Sequence, residues 1–147
     1  MEALVVLAIV AILATIAYPS YVNQVRKSKR TVAKSALLDA ANREEQNFFS
    51  QRSYTSLMFS SSLPLPPNLN YRSDPAYFAD DGTNLDSSAN AVYAVSVAAK
   101  DTSACGGAPC FKLQAVPLGD QANDACGTFT LSNSNGITKS AAVSDCW

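Results

Sequence analysis

Four cysteines are the residues whose type and spacing most clearly suggest chemistry in this sequence. Cys105, Cys110, Cys126 and Cys146 all lie in the last third of the chain. A zinc site is disfavoured because no two of them form a Cys-x-x-Cys pair and the sequence contains no histidine. Four cysteines allow three disulfide pairings, and the local spacing favours Cys105 with Cys110 and Cys126 with Cys146. Two disulfides would place this part of the chain in an oxidising compartment.

The remaining polar residues offer little to an enzyme. The absence of histidine removes the commonest general base and the commonest ligand of zinc and iron. Asp80 and Asp81 could form a catalytic or calcium-binding pair, but two aspartates followed by Gly82 are typical of a turn. The sequence therefore predicts no catalytic residue, no cofactor and no metal site.

One acid stands at the start of a long apolar stretch. Every residue from Ala3 to Ala17 is apolar except Thr15. An ionised carboxylate at the edge of lipid is costly, so Glu2 either lies solvated among the headgroups or pairs with a cation. A helix over this stretch would be about 22 Å long, shorter than the roughly 30 Å hydrocarbon core, so we expect residues upstream of Met1. The basic residues follow the stretch, whereas those of a cleaved signal peptide precede it.

The elements that position these residues can be predicted from periodicity. Pro19 lacks an N–H, so we expect a kink or break in the helix over Thr15 to Pro19. Beyond it, apolar residues recur at spacings of three and four, which predicts an amphipathic helix that continues the apolar one to about Phe49. Its stripe comprises Val22, Val25, Val32, Ala36, Leu37, Ala40, Ala41, Glu44 and Phe48.

The second half of the chain predicts a sheet. Residues 50–90 are rich in Ser, Pro, Asn and Asp, which indicates a long connecting loop with little regular structure. Four strands are predicted after it, and the pair Asn135-Gly136 favours a hairpin between the last two. Their bounds are 91–99, 111–116, 127–132 and 137–140. We therefore expect an α+β fold in which a long N-terminal helix packs on a four-stranded antiparallel sheet, with a disulfide-closed C-terminal loop.

This organisation divides the chain into four segments. Residues 1–21 form an anchor, 22–50 the amphipathic half of the helix, 51–90 the loop, and 91–147 the sheet and disulfide loop. Residues 22–147 would form one globular head. The aromatic residues near the anchor and at the end of the helix could form a track along a fibre, but packing is the simpler interpretation; they are Tyr18, Tyr21, Phe48, Phe49 and Tyr54.

The net charge of −1 conceals a segregation. Residues 1–34 carry five basic residues against Glu2, whereas the remainder carries six bases against eleven acids. An acidic body gives little electrostatic reason to expect nucleic acid as the main ligand. The basic cluster from Arg26 to Lys34 could be a solvated helix face, or it could contact lipid headgroups, acidic faces of neighbouring molecules, or DNA.

The segment from Glu2 to Tyr21, EALVVLAIVAILATIAYPSY, resembles the N-terminal signature of type IV pilins. The segments Tyr93–Val97 and Cys126–Leu131 and the ending Asp-Cys-Trp are similar to the sheet and C-terminal loop of the same family. The resemblance implies that the leader and about three mature residues precede Met1. It also implies that Glu2 pairs with the N-terminal amine of a neighbouring subunit. Helical pairing before Pro19 would be lost in the filament, although Ala11 stands where many relatives have glycine.

The resemblance implies a structural subunit and no enzyme. Such a subunit is stored in the inner membrane, is handled by the pilus assembly machinery, and polymerises with other copies through its apolar helix into an extracellular filament of a Gram-negative-type bacterium. N-terminal methylation and a use in adhesion, twitching motility or DNA uptake are implied too. DNA and host surfaces are further candidate partners. The alternatives are a minor pilin, a type II secretion pseudopilin, and a membrane-tethered periplasmic binding module or enzyme; the C-terminal cysteine pair favours a pilin over a major pseudopilin.

Overall fold

One helix, α1 (Glu2–Gln51), accounts for 50 residues of the chain. The computed structural model describes residues 2–61, 68–100, 109–134 and 136–147, apart from the side chain of Pro19. At 1.5 Å per residue α1 is about 75 Å long. It ends where Arg52 adopts a left-handed conformation, with φ of 57°, and donates its N–H to the carbonyl of Phe48 at 2.9 Å. The predicted helix is therefore confirmed, two residues longer than expected.

Among the residues that the structure describes, the sheet has six strands, so the prediction of four was wrong. All neighbours pair antiparallel in the order β2-β1-β3-β4-β5-β6. The two additional strands lie in the segment predicted to have little regular structure. Neither could be found by periodicity because they contain only three and two residues. The strands are β1 (Ala76–Phe78), β2 (Asn84–Leu85), β3 (Tyr93–Lys100), β4 (Phe111–Pro117), β5 (Phe129–Ser132) and β6 (Thr138–Ser140).

The hydrophobic core lies between the second half of α1 and one face of the sheet. In β4, Phe111, Leu113 and Ala115 are buried while Lys112 between them is exposed, which is the alternation of a sheet with one covered face. The helix contributes small residues at the contact, so its backbone can approach the sheet closely. The buried apolar residues of the helix are Val32, Ala33, Ala36, Leu37, Ala40 and Ala41; they pack with Tyr93, Val95, Phe129 and Leu131 of the sheet.

The connection between α1 and the sheet is packed against the head. Met58, Leu69 and Tyr71 are buried in the core. The Tyr71 hydroxyl donates to Asp39 of α1 at 2.6 Å, and the Arg43 guanidinium stands 4.5 Å from the centre of the Tyr71 ring. This segment is therefore held to the helix by both apolar and polar contacts.

The turn between β1 and β2 contains the adjacent aspartates. The carboxylate of Asp81 accepts the N–H of Thr83 at 2.8 Å, and Gly82 has a φ of 85°, which favours glycine. The Ala79 N–H donates to the Thr83 carbonyl at 2.9 Å. Asp80, Asp81 and Gly82 thus form the turn that their types predicted.

Candidate functional site

The first half of α1 extends beyond the head with its apolar side chains uncovered. Leu4, Val5, Val6 and Leu7 are 59–70% exposed. Successive helix residues point about 100° apart, so four in a row sample every side of the helix. By length and composition α1 is the one candidate membrane span in the described part of the chain. An apolar surface of this extent requires lipid or other protein to cover it.

The two residues predicted to act in assembly lie on this half of α1. Glu2 is exposed in the first turn, and none of the ion pairs among the described residues involves it. The helix continues through Pro19 in the single subunit, although proline cannot donate to the Thr15 carbonyl. The loss of helical pairing before Pro19 and the partner of Glu2 therefore stay predictions for the assembled filament.

A bidentate ion pair joins the basic cluster of α1 to the segment that follows β4. The Arg30 guanidinium donates through Nε and Nη2 to the two carboxylate oxygens of Asp124, at 2.8 and 2.6 Å. The Asp124 side chain is 3% exposed and that of Arg30 21%. Burial alone would raise the pKa of Asp124, but the hydrogen bonds and charge of Arg30 outweigh it and hold that pKa below its usual value. The pair fixes the helix against the loop that follows β4.

The buried amide of Gln121 lies beside this ion pair, in a short 3₁₀ helix (Gly119–Asn123). Its Nε2 is within 3.1–3.2 Å of the Arg26 carbonyl, the Tyr93 hydroxyl and a carboxylate oxygen of Asp124. Two of these partners can only accept, which sets the orientation of the amide. Its Oε1 is buried and has no hydrogen-bond partner among the described residues.

A cleft of ≈ 320 Å³ separates α1 from the 3₁₀ helix. Tyr18 and Tyr21 line the end nearest the apolar half of α1, followed by two valines. Arg26 and Lys29 line it further along the helix, and the 3₁₀ helix contributes Asp120 and Gln121. The cleft therefore passes from aromatic and aliphatic surface to charged surface over about three turns of α1.

The C-terminal loop is closed by a disulfide. Cys126 and Cys146 are bonded across 20 residues with their Cα atoms 5.7 Å apart, which confirms this predicted pair. Trp147 packs edge-on against Phe129 of β5 at 5.7 Å between ring centres. Its indole N–H donates to the Ser140 carbonyl at 2.8 Å. The disulfide and the indole together hold the end of the chain to β5 and β6.

A comparison with known families identifies the family of this chain. Residues 19–130 match the family described as "Type IV minor pilin ComP, DNA uptake sequence receptor". The match covers most of the chain, from Pro19 of α1 to the start of β5. The chain belongs to this family of type IV minor pilins. Neither a curated protein nor a solved structure matches it.

Membership of the ComP family confirms the predicted resemblance to type IV pilins and agrees with the minor-pilin alternative. The family consists of pilins, which are structural proteins, and it implies a location on the pilus or at the membrane. The long helix packed on an antiparallel sheet, with its apolar first half uncovered, is the architecture that the resemblance implied.

The second predicted disulfide of this ComP-family pilin is described at one end only. Cys110 is buried and disulfide-bonded. Cys105 lies outside the described residues.

Sequence reasoning missed the contacts that attach α1 to the loop after β4. Arg30 was assigned to a basic cluster, yet it lies three and seven residues before Ala33 and Leu37, which are buried in the core. That spacing places it on the face of the helix that meets the head, so a signal was present. No comparable signal marked Asp124 or Gln121, because their partners on α1 lie more than ninety residues away.

Proposed function

We propose that this pilin is a filament subunit that enters a type IV pilus through the apolar half of α1. The observation that carries the proposal is the exposure of that half on every side, with residues such as Leu4, Leu7 and Leu13 at 60–70%. Lipid covers this surface while the subunit is stored in the inner membrane. Copies of the same helix, or of the helix of another pilin, cover it after assembly into the extracellular filament. No chemical reaction by this chain is needed.

Glu2 and Pro19 have the assembly roles that the pilin resemblance implied. Glu2 precedes an uncovered apolar surface, so in a packed filament its carboxylate would be buried and would need a cation. The N-terminal amine of a neighbouring subunit supplies that charge and fixes the axial register. Pro19 leaves the Thr15 carbonyl without its helical donor, which makes the preceding turn the easiest part of α1 to open during packing.

Incorporation into filaments tests the assembly role. A tagged chain is expressed in its natural host, pili are sheared from the cells, and the chain is quantified by mass spectrometry in the filament and membrane fractions. We expect Glu2→Ala to lower filament content by more than about ten-fold at equal membrane content, since loss of one partner from a buried ion pair costs about 3–5 kcal/mol. Lys27→Gln, on an exposed residue of the same helix, is the control.

Three outcomes would contradict this proposal. Normal incorporation of the Glu2→Ala chain would exclude the register role. A wild-type chain confined to the membrane fraction would indicate a tethered periplasmic module, and one confined to short periplasmic fibres of a secretion system would indicate a pseudopilin.

DNA uptake is the use of the filament that we favour over adhesion and twitching motility. The description of the family names a DNA uptake sequence receptor. The charge distribution supports the same use, because the six strands contain three lysines and no acid. Among the described residues the acids of the head lie in α1, in the loops and in two 3₁₀ helices, so the acidic balance of the whole chain does not extend to the six strands.

The outward face of the sheet is our candidate DNA surface. Ser96, Gln114, Thr130 and Ser140 stand in register across four strands, and the row beside it contains Lys112. Gln114 donates to Ser96 at 3.1 Å and the two hydroxyls of Thr130 and Ser140 lie 2.5 Å apart. Hydroxyl and amide groups bind phosphates and base edges, and the lysine supplies a positive charge.

DNA binding is measured by fluorescence anisotropy with the full chain in detergent and duplex fragments of the host chromosome. We expect Lys112→Gln to weaken binding and to lower the slope of log K against log salt by about 0.9, the loss of one phosphate contact. Arg72→Gln is the matched control because Arg72 is exposed and pairs with Asp86 at 3.6 Å. Equal effects of the two substitutions, or binding that does not respond to salt, would exclude this surface.

A further inference from the structure

The cleft between α1 and the 3₁₀ helix Gly119–Asn123 lies where the chain leaves the apolar stretch. The stretch ends at Ala17, and Tyr18 and Tyr21 line the near end of the cleft. Tyrosine is enriched at the boundary between hydrocarbon and headgroups because its ring is apolar and its hydroxyl is polar. Arg26 and Lys29 lie five and eight residues beyond Tyr21, about 7.5 and 12 Å along the helix, and a headgroup layer is about 5–7 Å thick. Long basic side chains on a helix lean back toward its N-terminus, so the charged end of the cleft is within reach of the headgroups when α1 spans a bilayer.

The charges that line the cleft match a phosphate with a polar group attached to it. Arg26 and Lys29 are the cations of the lining, and Asp120 is its acid. The nearby Arg30 does not line the cleft and is bonded to Asp124. Two cations against one acid favour a ligand with a phosphate. The acid is unfavourable for an anion alone, but it favours a ligand that also carries an N–H or O–H donor.

Gln121 is the remaining polar residue of the lining. It is 2% exposed, and its Oε1 has no hydrogen-bond partner among the described residues. A buried amide oxygen without a donor is unfavourable, and the amide cannot rotate to change this because its nitrogen faces the Arg26 carbonyl and Asp124. Because Oε1 is shielded from solvent, the exposed carboxylate of Asp120 is the acceptor that a ligand in the cleft can reach.

We propose that this cleft binds the headgroup of a membrane glycerophospholipid. Arg26 and Lys29 contact the phosphate, and Asp120 accepts hydrogen bonds from the ammonium or hydroxyl group beyond it. Tyr18 and the adjacent aliphatic residues contact the glycerol and the first carbons of the acyl chains. Phosphatidylethanolamine and phosphatidylglycerol carry such donors. Phosphatidylcholine has the same phosphate but a quaternary ammonium without an N–H.

The continuity of the cleft with the apolar half of α1 favours a lipid over other phosphates. Inorganic phosphate has no apolar part to place against Tyr18 and Tyr21, and the backbone of duplex DNA has no donor for Asp120. The bound lipid would be released when the subunit leaves the bilayer. Binding concerns the subunit before assembly, so it does not depend on the proposed incorporation into a filament.

Lipid retention by the full chain tests the proposal. The protein is reconstituted in bilayer discs that contain equal amounts of phosphatidylcholine, phosphatidylethanolamine and phosphatidylglycerol, and the phospholipids that remain bound are identified by native mass spectrometry. We expect the wild type to retain the two donor-bearing lipids over phosphatidylcholine. Lys29→Gln should lower their retention about five-fold, the effect of one cation near an anionic surface. Asp120→Asn should lower the preference over phosphatidylcholine.

Lys27→Gln is the matched control, since Lys27 is exposed on the same helix and does not line the cleft. We expect it to leave retention unchanged. An equal loss in the Lys27 and Lys29 variants would overturn the proposal in favour of general attraction to the membrane surface. Displacement of the lipid by millimolar inorganic phosphate would identify a free-phosphate site. Filament content of the Lys29→Gln variant, measured in parallel, separates a failure of this inference from a failure of the assembly role.

Discussion

Two buried acids meet different environments where α1 contacts the head. Asp124 is bonded to Arg30 through two short contacts. Glu44 is 0% exposed, and its Oε2 accepts the N–H of Thr55 at 3.0 Å while its Oε1 has no partner among the described residues. Burial, opposed only in part by the Thr55 hydrogen bond and the charge of Lys100, raises the pKa of Glu44 to about 7. The first acid stabilises the head at neutral pH and the second destabilises it.

Asp124→Asn should lower the free energy of unfolding by about 2–4 kcal/mol at pH 7, because it leaves the partly buried charge of Arg30 unpaired. The pKa of Asp124 is lowered in the folded state, so its contribution is present above the unfolded pKa of about 3.9 and is lost as the pH falls through the folded pKa. Urea denaturation at pH 7 and pH 3 measures both effects.

The control for Asp124→Asn is Asp86→Asn, which breaks the exposed pair with Arg72. We expect this substitution to change stability by no more than about 0.5 kcal/mol. Equal losses in the two variants would show that the Arg30–Asp124 pair contributes no more than a surface contact.

Glu44→Gln should remove a pH dependence of stability whose sign is opposite to that of Asp124. Since the folded pKa of Glu44 is raised, the folded state binds more protons than the unfolded state between the two pKa values, and stability falls as the pH rises from about 4.5 to about 7. The full effect is about 3 kcal/mol at 1.36 kcal/mol per pH unit. Chemical denaturation at pH 5 and pH 8 should show a smaller decrease for the variant than for the wild type. An unchanged decrease would assign the dependence to other groups.

At the scale of elements, the C-terminal loop depends on its disulfide more than on regular structure. Between Cys126 and Cys146 the described elements are two short strands and one turn of 3₁₀ helix. The cysteines themselves are buried in the core, and Trp147 is partly buried against it. The covalent bond therefore fixes a segment whose backbone pairing alone is slight.

Replacement of Cys126 and Cys146 by serine should lower the free energy of unfolding by about 3 kcal/mol, the chain-entropy value for a loop of 20 residues. The emission of Trp147 should also shift to longer wavelength, because its contacts with Phe129 and Ser140 would loosen. Trp147 is the sole tryptophan, so its fluorescence reports this corner alone. An unshifted spectrum with unchanged stability would contradict this account.

At the scale of the whole molecule, the apolar half of α1 and the head are structurally separate. None of the residues of α1 before Val32 whose burial is described is buried; the side chain of Pro19 is not described. The apolar half therefore adds nothing to the core of the head, and the head adds no cover to the apolar half. The proposed transfer from bilayer to filament would therefore leave the folded head unchanged.

A chain of residues 22–147 should consequently fold as a soluble monomer. We expect its free energy of unfolding to differ from that of the full chain in detergent by no more than about 1 kcal/mol, the typical effect of one point substitution. Analytical ultracentrifugation and chemical denaturation measure these properties. A molten or aggregated product would show that the first half of α1 stabilises the head.

The amino-acid sequence by itself determined the helix, its division into an apolar and an amphipathic half, the strands β3 to β6 and the Cys126–Cys146 pair. Each of these is encoded by local periodicity or by spacing along the chain, and both can be recognised without knowledge of tertiary contacts. Glu2 and Pro19 could be identified on the same grounds, and their roles in the filament stay predictions.

The tertiary structure alone decided β1 and β2, the bond of Arg30 to Asp124, the burial of Gln121 and the raised pKa of Glu44. β1 and β2 carry too few side chains to show alternation, whereas β6, which is as short as β1, was indicated by the Asn135-Gly136 pair before it. The pairing of Arg30 joins residues 94 positions apart, and the pKa of Glu44 depends on water that the surrounding fold excludes. Such properties arise from contacts between residues that are far apart in the sequence, so no short segment of the sequence reveals them.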